Sequence, residues 1–308
     1  MKEEPFILTF GSCGWDRIIA RNEDGSQELI YEEEGRKNSH QAIAAYRAGA
    51  KSMLISFVGD DEIGKKVFQS LKDSGLDTTF VTVAKGESTE INHQYYNKIT
   101  KDYEVERFPS PLSQWYTPDM VEKYSEYILK ANYVILVSKQ PKDFLSAMIN
   151  FCYENNIPTV LTVSHEKFDI NNPSDLETLK KCTVVTGNFE ESAILTGKTT
   201  PEEMLEILPN LLITKGEEGV WFLDEGGNVI HEAAVVAIEV VETNGAGDTL
   251  IGNFTVFRSE GKSMIESVRM SMCASTLEIG KMGVLGSMPY RAETEELYKN
   301  YYQVIKKT

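Results

Sequence analysis

The sequence predicts a three-layer α/β/α sandwich with a mostly parallel central sheet and a small antiparallel β lid. Short apolar runs rich in β-branched residues alternate with helix-periodic segments, which is typical of a parallel sheet covered by helices on both faces. Two further segments alternate residue by residue without an intervening helix, and these predict the lid. We expect a single domain over residues 1–308, because 41% hydrophobic content can build a large core and no long linker interrupts the chain.

The predicted elements follow one another as βαβ units. The strands are expected at residues 6–10, 52–58, 133–137, 159–163, 183–186 and 211–214. The helices are expected at residues 39–48, 63–74, 118–130, 142–155 and 190–196, and another begins at the capping pattern Thr200-Pro201-Glu202-Glu203. Residues 15–33 and 90–108 should form the lid over the carboxyl ends of the parallel strands, where α/β folds bind ligands.

Composition excludes several classes of protein. The formal net charge of -16 opposes binding to a nucleic acid backbone. No apolar stretch is long enough to span a bilayer and the N-terminus has no signal-peptide pattern, so we expect no membrane partner. The cysteines are Cys13, Cys152, Cys182 and Cys273, and their wide spacing suggests neither a zinc site nor a disulfide framework. A cytoplasmic location fits these features best.

The sharpest motif is a glycine-rich helix start, Gly245-Ala246-Gly247-Asp248, followed by a helical apolar pattern. Glycines let backbone N–H groups approach an anion, and the helix dipole favours negative charge there. An acidic residue directly after such a loop makes sense if Asp248 removes a proton from an attacking hydroxyl. The motif alone fits equally well an ordinary turn into a helix with Asp in its first turn.

Other segments accompany this motif in a fixed order along nearly the whole chain. They are residues 35–42 (Gly-Arg-Lys-Asn-Ser-His-Gln-Ala), 57–64, 74–77, 188–191 and 213–220, and Gly283, Ser287 and Pro289 near the end. In this set the chain resembles the ribokinase family, also called the PfkB-type carbohydrate kinases. The resemblance implies a ribokinase-like fold and ATP-dependent phosphorylation of a hydroxyl of a small sugar or polyol.

The resemblance also implies roles for individual residues. Asp248 would be the catalytic base, and the backbone of Asn244, Gly245, Ala246 and Gly247 the anion hole. Asn188 and Glu191 would organise Mg²⁺ and phosphate through waters, although their spacing alone is typical of a helix cap. The remaining nucleotide-side residues would be Thr214, Gly216, Gly219 and Gly283. The acceptor site would comprise Asp16, Gly14, Gly35, Lys37 and His40, with the Asp16 carboxylate accepting hydrogen bonds from sugar hydroxyls.

The sequence departs from the family pattern at several positions. His40 stands where the family usually has Asn, Arg36 where it has a second Gly, and Gly14 where ribokinases have Asn. Glu242 replaces an Asp in a region that holds a monovalent cation in ribokinase-like members. Glu242 and Ser287, with the backbone of Asn244 and Gly283, would be the ligands for K⁺ here, and whether potassium is required stays open.

Three alternative functions and a homodimeric assembly remain open at this point. A nucleoside kinase of the same fold is suggested by Gly14, by Trp15, which could stack on a base, and by the lid tyrosines. Phosphosugars are disfavoured because Arg36 and Lys37 are the only evident cations of the acceptor site. A non-catalytic sugar or nucleotide sensor is opposed by the retained Asp248. Exposed lid edges suggest a homodimer joined through the lid.

Overall fold

A computed structural model of the chain describes residues 4–22, 24–97, 103–164, 167–236 and 239–304. These residues form one large sheet, one small sheet and helices around the large sheet. Part of the expected lid, residues 98–102, lies outside the described residues. In the described ranges, no helix combines the length and the apolar character needed to cross a membrane.

The strands are short, and those at the centre of the large sheet are buried along most of their length. In chain order they are β1 (Phe6–Phe10), β2 (Trp15–Arg21), β3 (Gln27–Glu34), β4 (Lys51–Gly59), β5 (Val81–Ala84), β6 (Ile91–Asn97), β7 (Tyr103–Phe108), β8 (Tyr133–Val137), β9 (Thr159–Thr162), β10 (Val184–Asn188), β11 (Leu211–Thr214), β12 (Val220–Leu223) and β13 (Val229–Glu232). The six strands predicted for the central sheet are confirmed within two residues at each end.

Several of the helices begin at side-chain caps. In chain order they are α1 (Lys37–Arg47), α2 (Glu62–Asp73), α3 (Asp119–Lys123), α4 (Ser125–Ile128), α5 (Lys142–Glu154), α6 (Pro173–Lys181), α7 (Phe189–Thr196), α8 (Pro201–Ile207), α9 (Ala246–Ser259), α10 (Met264–Glu278) and α11 (Arg291–Tyr298). The Asp61 carboxylate, for example, accepts from Gly64 N at 2.6 Å and begins α2. The helix predicted after Thr200 is confirmed as α8, with the Thr200 hydroxyl accepting from Glu203 N.

One predicted helix is wrong as a continuous element. The sequence pattern indicates a single helix over residues 118–130, but the structure has α3 and α4 with Tyr124 between them at φ -109° and ψ 11°. Tyr124 is buried, and its ring packs edge-on against Phe10 at 5.9 Å and Phe80 at 5.3 Å between ring centroids. The aromatic packing stabilises the break, which periodicity cannot reveal.

The order of the strands places the binding crevice. The large sheet runs β13-β12-β11-β10-β9-β8-β1-β4-β5, and it is parallel from β11 to β5 with an antiparallel hairpin edge at β12 and β13. The chain builds outward from β1 to β4 and β5 and then returns to the other side of β1 with β8. Ligands bind beyond the carboxyl ends of the strands at such a switch point.

The predicted second sheet is present and has the order β3-β2-β6-β7. Its two outer pairs are antiparallel, as expected, whereas the central pair β2 and β6 is parallel. The parallel pair arises because the two hairpins follow β1 and β5 separately and leave the large sheet in the same direction. Helices and buried apolar side chains cover both faces of the large sheet, which confirms the three-layer fold.

Candidate active site

Helix α9 begins at a glycine turn that faces a cavity. Gly245 has a φ of 91°, which favours glycine, and a Cβ there would lie 2.4 Å from Cγ1 of Val284. The first-turn amides of a helix have no intrahelical acceptor, and the helix dipole adds positive potential. Asp248 lies in this first turn and lines the same cavity as Gly245 and Gly247. The structure thus puts a carboxylate beside an anion-binding backbone.

The close crossing of α1 and α9 orients Asp248. At Gly252 a Cβ would lie 2.5 Å from both the carbonyl oxygen of Gln41 and Cβ of Ala44, so only glycine permits this approach. Gln41 Nε2 donates to Asp248 Oδ1 at 2.8 Å and to Thr162 Oγ1 at 3.0 Å. Sequence reasoning gave Gln41 no role. The position of Gln41 in the motif that begins α1 was the only hint of a role in the sequence, since its hydrogen bond to Asp248 forms only when α1 and α9 pack together.

His40 lies on the other side of Asp248 and also lines the cavity. Its Nδ1 is 3.7 Å from Asp248 Oδ2, and its Nε2 is 3.0 Å from the Glu34 carbonyl oxygen and 3.8 Å from Glu34 Oε2. Burial lowers the pKa of His40, but the interactions with Asp248 and Glu34 outweigh it and raise the pKa to about 10. The imidazole is therefore a cation at neutral pH, beside the carboxylate of the predicted base.

Asp16 forms the floor of the acceptor end of the cavity. Arg36 Nη1 donates to its Oδ1 at 2.5 Å and Gln94 Nε2 donates to its Oδ2 at 3.0 Å. Gly35 lies directly behind it, since a Cβ at that position would be 2.3 Å from Asp16 Oδ2. Both oxygens of the carboxylate that was predicted to bind sugar hydroxyls are thus already engaged by protein donors.

Gly14 and Arg36, two departures from the family pattern, are neighbours in space. A Cβ at Gly14 would lie 2.8 Å from Cζ of Arg36 and 2.7 Å from the carbonyl oxygen of Glu90. Gly14 therefore does not leave open space in the acceptor pocket, because the Arg36 guanidinium fills it. Gly14 itself lies behind the cavity wall. The absence of a side chain at Gly14 thus leaves room for the Arg36 side chain.

Lys37, Asn188 and Glu191 also line the cavity. Asn188 Oδ1 accepts from Glu191 N at 2.7 Å and Glu191 Oε2 accepts from Asn188 N at 2.9 Å, so the pair forms the capping box of α7. The other carboxylate oxygen, Oε1, is 3.0 Å from Lys37 Nζ. Capping therefore uses one oxygen of Glu191 and leaves the second facing the cavity.

Two cavities meet at the start of α9. The first has a volume of about 610 Å³ and extends from Asp16 to Asn244, Gly247 and Asp248. The second has a volume of about 640 Å³, has a mostly apolar lining, and contains Gly216 and Gly219. Thr214, Thr243 and Gly247 line both. The predicted acceptor-side and nucleotide-side residues are thus brought together around Asp248, with Ala246 on the wall of the second cavity.

Of the residues predicted to hold a monovalent cation, Asn244 lines the first cavity, whereas Glu242, Gly283 and Ser287 lie on the wall of neither cavity. Glu242 accepts from Tyr31 Oη at 2.7 Å and from Gly283 N at 2.9 Å, and Ser287 Oγ is 3.3 Å from Glu278 Oε1. The expected place of Gly283 beside the nucleotide is therefore not seen. Burial raises the pKa of Glu278 to about 8.

The Glu33 carboxylate, on lid strand β3, holds the loop that follows Gly283. It accepts from the amides of Val284 at 2.7 Å and Leu285 at 3.1 Å. The loop behind the glycine turn that begins α9 is therefore bound to the lid through two hydrogen bonds to one side chain.

Three lid or wall residues correct the sequence expectations. Trp15 is 8% exposed, packs in the apolar cluster beneath the lid and does not line the cavity, so stacking on a ligand is not supported. Arg107 and Lys139 do line the acceptor end of the cavity. The expectation that Arg36 and Lys37 are the only cations there is wrong, because Arg107 and Lys139 reach the cavity only through the fold.

Comparison with known proteins gives the same picture over nearly the whole chain. Residues 37–291 match the sequence profile of the pfkB family carbohydrate kinases. The ribokinase of Bacillus subtilis is 28% identical over 298 residues, which cover 94% of this chain and 98% of that protein. The structure of Arabidopsis thaliana ribokinase complexed with ribose and ATP superposes with a TM-score of 0.84 at 22% identity, covering 96% and 99% of the two chains. A Burkholderia thailandensis nucleoside kinase in complex with inosine has a TM-score of 0.78 at 16% identity, covering 96% and 98%.

Proposed function

Because this chain belongs to the pfkB family of carbohydrate kinases, we propose that it transfers the γ-phosphoryl group of ATP to a hydroxyl of a small sugar or polyol. The observation that carries the proposal is the position of Asp248 beside a glycine-lined helix start, where an acceptor-sized cavity meets an apolar one. A carboxylate at that junction can take a proton from a hydroxyl on one side while phosphate lies on the other.

In this mechanism the acceptor hydroxyl donates a hydrogen bond to Asp248, and the proton moves to Asp248 as the new O–P bond forms. Gln41 holds one carboxylate oxygen in place, and the His40 imidazolium lies beside the other. The backbone of Asn244, Gly245, Ala246 and Gly247 stabilises negative charge on the transferring phosphoryl oxygens. The O–P bond to the leaving ADP breaks in the same transfer.

The nucleoside part of ATP would occupy the second cavity, whose lining is mostly apolar, with Gly216 and Gly219 permitting close backbone approach. Gly219 has a φ of 104°, and a Cβ there would lie 2.1 Å from the Glu232 carbonyl oxygen. Thr214 lies where both cavities meet and would contact the phosphates.

The side-chain oxygens available in the cavity suit a Mg²⁺ ion that is bound mainly by ATP and water. Over the ranges that the structure describes, no group of three or more His, Cys, Asp or Glu side chains could hold a metal alone. Mg²⁺ keeps several waters and commonly takes one or two carboxylates plus substrate phosphates. Glu191 Oε1, with Asn188 nearby, would hold it, and when bound it would neutralise charge on the phosphates.

The test is ADP release from MgATP with a panel of pentoses, hexoses, polyols and nucleosides. We expect Asp248→Asn to lower kcat by at least about 10³-fold with ATP affinity largely retained, since only proton removal is lost. Asp73→Asn, an exposed change on α2, is the matched control. Near-normal turnover by Asp248→Asn would refute the assignment of the base.

The alternatives have less structural support. A nucleoside kinase was suggested by Gly14 and Trp15, but Arg36 fills the space at Gly14 and Trp15 is buried. A non-catalytic sensor would not need Gln41 and His40 aligned on Asp248. The same panel of acceptors distinguishes these functions, because a nucleoside kinase phosphorylates inosine, whereas a sensor binds its ligand without releasing ADP.

We also propose activation by K⁺ at Glu242 and Ser287, near Gly283. The proximity of Gly283 to both side chains supports a site there: its amide donates to Glu242 and its carbonyl oxygen accepts from the Ser287 hydroxyl. Turnover in K⁺ should exceed turnover in tetramethylammonium at equal ionic strength. Equal rates in both salts would remove the site from the proposal.

We further propose a homodimer through the lid and a cytoplasmic location. Lid strands β3 and β7 are edges of their sheet, and Leu29, Ile30 and Phe108 on them are exposed. Light scattering should give twice the chain mass, and Leu29→Lys should reduce it to that of one chain. The four cysteines are all free and buried, which fits a reducing compartment.

A further inference from the structure

Three cationic side chains gather at the acceptor end of the first cavity, in a chain whose formal net charge is -16. They are Arg36 at the start of α1, Arg107 on lid strand β7 and Lys139 after β8. The carboxylates among them are Asp16 and Glu90. Three positive charges against two negative charges leave this wall with one net positive charge. A pocket for a neutral polyol needs no such excess.

Arg36 is buried but incompletely satisfied. Its side chain is 6% exposed, Nη1 binds Asp16 and the Gly35 carbonyl oxygen, and Nε is 3.3 Å from Glu90 Oε1. Its Nη2 has no hydrogen-bond partner among the residues that the structure describes. A buried guanidinium with an unused donor costs stability unless an acceptor completes it. Because Nη2 is itself buried, Arg36 adds positive charge to this end of the cavity, and the donors within reach of a ligand belong to Arg107 and Lys139.

Arg107 is placed to receive a ligand rather than a protein carboxylate. It lies opposite Asn92 in the β6–β7 pair, and both residues line the cavity together with Gln94. Within the described part of the chain, it makes no ion pair. Lys139 lies nearby, and its ammonium group forms an ion pair with Glu90. Burial lowers the pKa of Lys139, the interaction with Glu90 raises it, and the positive charges of Arg36 and Arg107 lower it further. An anion between Arg107 and Lys139 would relieve that repulsion.

Asp16 is correspondingly less available for sugar hydroxyls. Arg36 and Gln94 already occupy both of its oxygens, and the Arg36 guanidinium fills the space beside Gly14. The floor of the pocket thus presents a carboxylate paired with Arg36, and the side chains of Arg107 and Lys139 line the same end of the cavity. Guanidinium groups bind carboxylate and phosphate oxygens with charge-assisted hydrogen bonds.

We propose, on the basis of the kinase function above, that the physiological acceptor is a polyhydroxy compound bearing an acidic group, which Arg107 and Lys139 bind beside the positive charge of Arg36. The acidic group is a carboxylate or a phosphate, and its negative charge holds the opposite end of the molecule near Asp248. The phosphoryl transfer itself is unchanged, and the acidic group takes no part in bond making or breaking.

The test compares acceptors that differ only in the acidic group. Glucose, glucuronate and glucose 6-phosphate form one set, and fructose and fructose 6-phosphate form another; the carboxylate and phosphate members separate the two sources of the charge. We expect kcat/KM to be at least about tenfold higher for an acidic member than for its neutral counterpart. We also expect KM for the acidic member to rise with salt concentration, since the interaction is ionic.

Two lid variants locate the effect. Arg107→Gln, at an exposed position, should raise KM for the acidic acceptor about tenfold or more, and by a larger factor than it raises KM for the neutral counterpart. Arg21→Gln, an exposed arginine on lid strand β2 outside the cavity lining, is the matched control and should change neither. Thermal shift with the acids, without ATP, gives a second readout.

The possible failures are distinguishable. If neutral sugars are phosphorylated in an Asp248-dependent reaction with no preference for acids, or if Arg107→Gln leaves KM for the acid unchanged, the acidic acceptor is overturned and the kinase stands. If no compound supports ADP release and Asp248→Asn has no effect on any activity, the kinase itself fails. Absence of any thermal shift with the acids at millimolar concentration also counts against the acidic acceptor.

Discussion

His40 Nδ1 lies 3.7 Å from Asp248 Oδ2, so the predicted base has an imidazolium beside one oxygen and the Gln41 amide on the other. Both partners come from adjacent positions on α1, and Asp248 comes from the first turn of α9. The geometry couples the protonation of His40 to the charge of the active site.

The first prediction concerns stability as a function of pH. The pKa of His40 is raised to about 10, so the stability from its ion pair with Asp248 is fully present below about pH 6.5 and is lost as pH rises through about 10. Burial raises the pKa of its second partner, Glu34, to about 7, so that carboxylate is charged only above about pH 7. The free energy of unfolding of the wild-type protein should therefore exceed that of His40→Gln by more at pH 8 than at pH 10.5, with a change on the order of a few kcal/mol. Urea denaturation across this range measures it. If the difference in the free energy of unfolding between the two proteins does not change with pH, His40 is not protonated at neutral pH.

The second prediction tests Gln41 as a positioning residue. Gln41→Met keeps the volume but removes the amide that holds Asp248 Oδ1, so kcat should fall about tenfold with KM for ATP nearly unchanged. Gln69→Met on α2 removes an exposed amide of the same kind and should leave kcat unchanged. Equal kcat in Gln41→Met and wild type would show that Asp248 is held by other contacts.

The third prediction concerns the contact between α1 and α9. Gly252→Ala places a Cβ 2.5 Å from backbone and side-chain atoms of α1, and overpacking of this kind costs about 1–3 kcal/mol. Thermal or urea unfolding should detect the loss, and kcat should fall because Asp248 moves with α9. Gly280→Ala is the control, since its nearest neighbour would be 3.7 Å away. Wild-type stability of Gly252→Ala would mean that the helices separate at little cost.

The fourth prediction separates the two roles of Glu191. Glu191→Gln keeps an oxygen that can complete the capping box but removes the charge that faces Lys37 and the phosphates. The Mg²⁺ concentration for half-maximal activity should rise several-fold while the free energy of unfolding changes by less than about 0.5 kcal/mol. Glu203→Gln makes the same change in the first turn of α8 and should leave the Mg²⁺ requirement unchanged.

The sequence was sufficient for the framework because the framework depends on local patterns. Buried apolar runs such as the one in β8, and helix caps such as Thr200, can be recognised from a few consecutive residues. The glycines around Asp248 are equally local. Arg107 and Lys139 could not be assigned, since nothing near them in the chain indicates that a lid strand and a sheet loop meet. The break at Tyr124 was missed for the same reason: its stabilising partners, Phe10 and Phe80, are distant in sequence.

Glu33 gives the lid a mechanical connection to the anion hole. Its carboxylate holds the amide of Val284, and the Val284 side chain lies where Gly245 has none. If strand β3 lifts, either Val284 moves with it or the backbone amides of Val284 and Leu285 lose their acceptor. A displacement of the lid rim would thus reach the first turn of α9 through two contacts, the Glu33 carboxylate on the Val284 amide and the Val284 side chain beside Gly245.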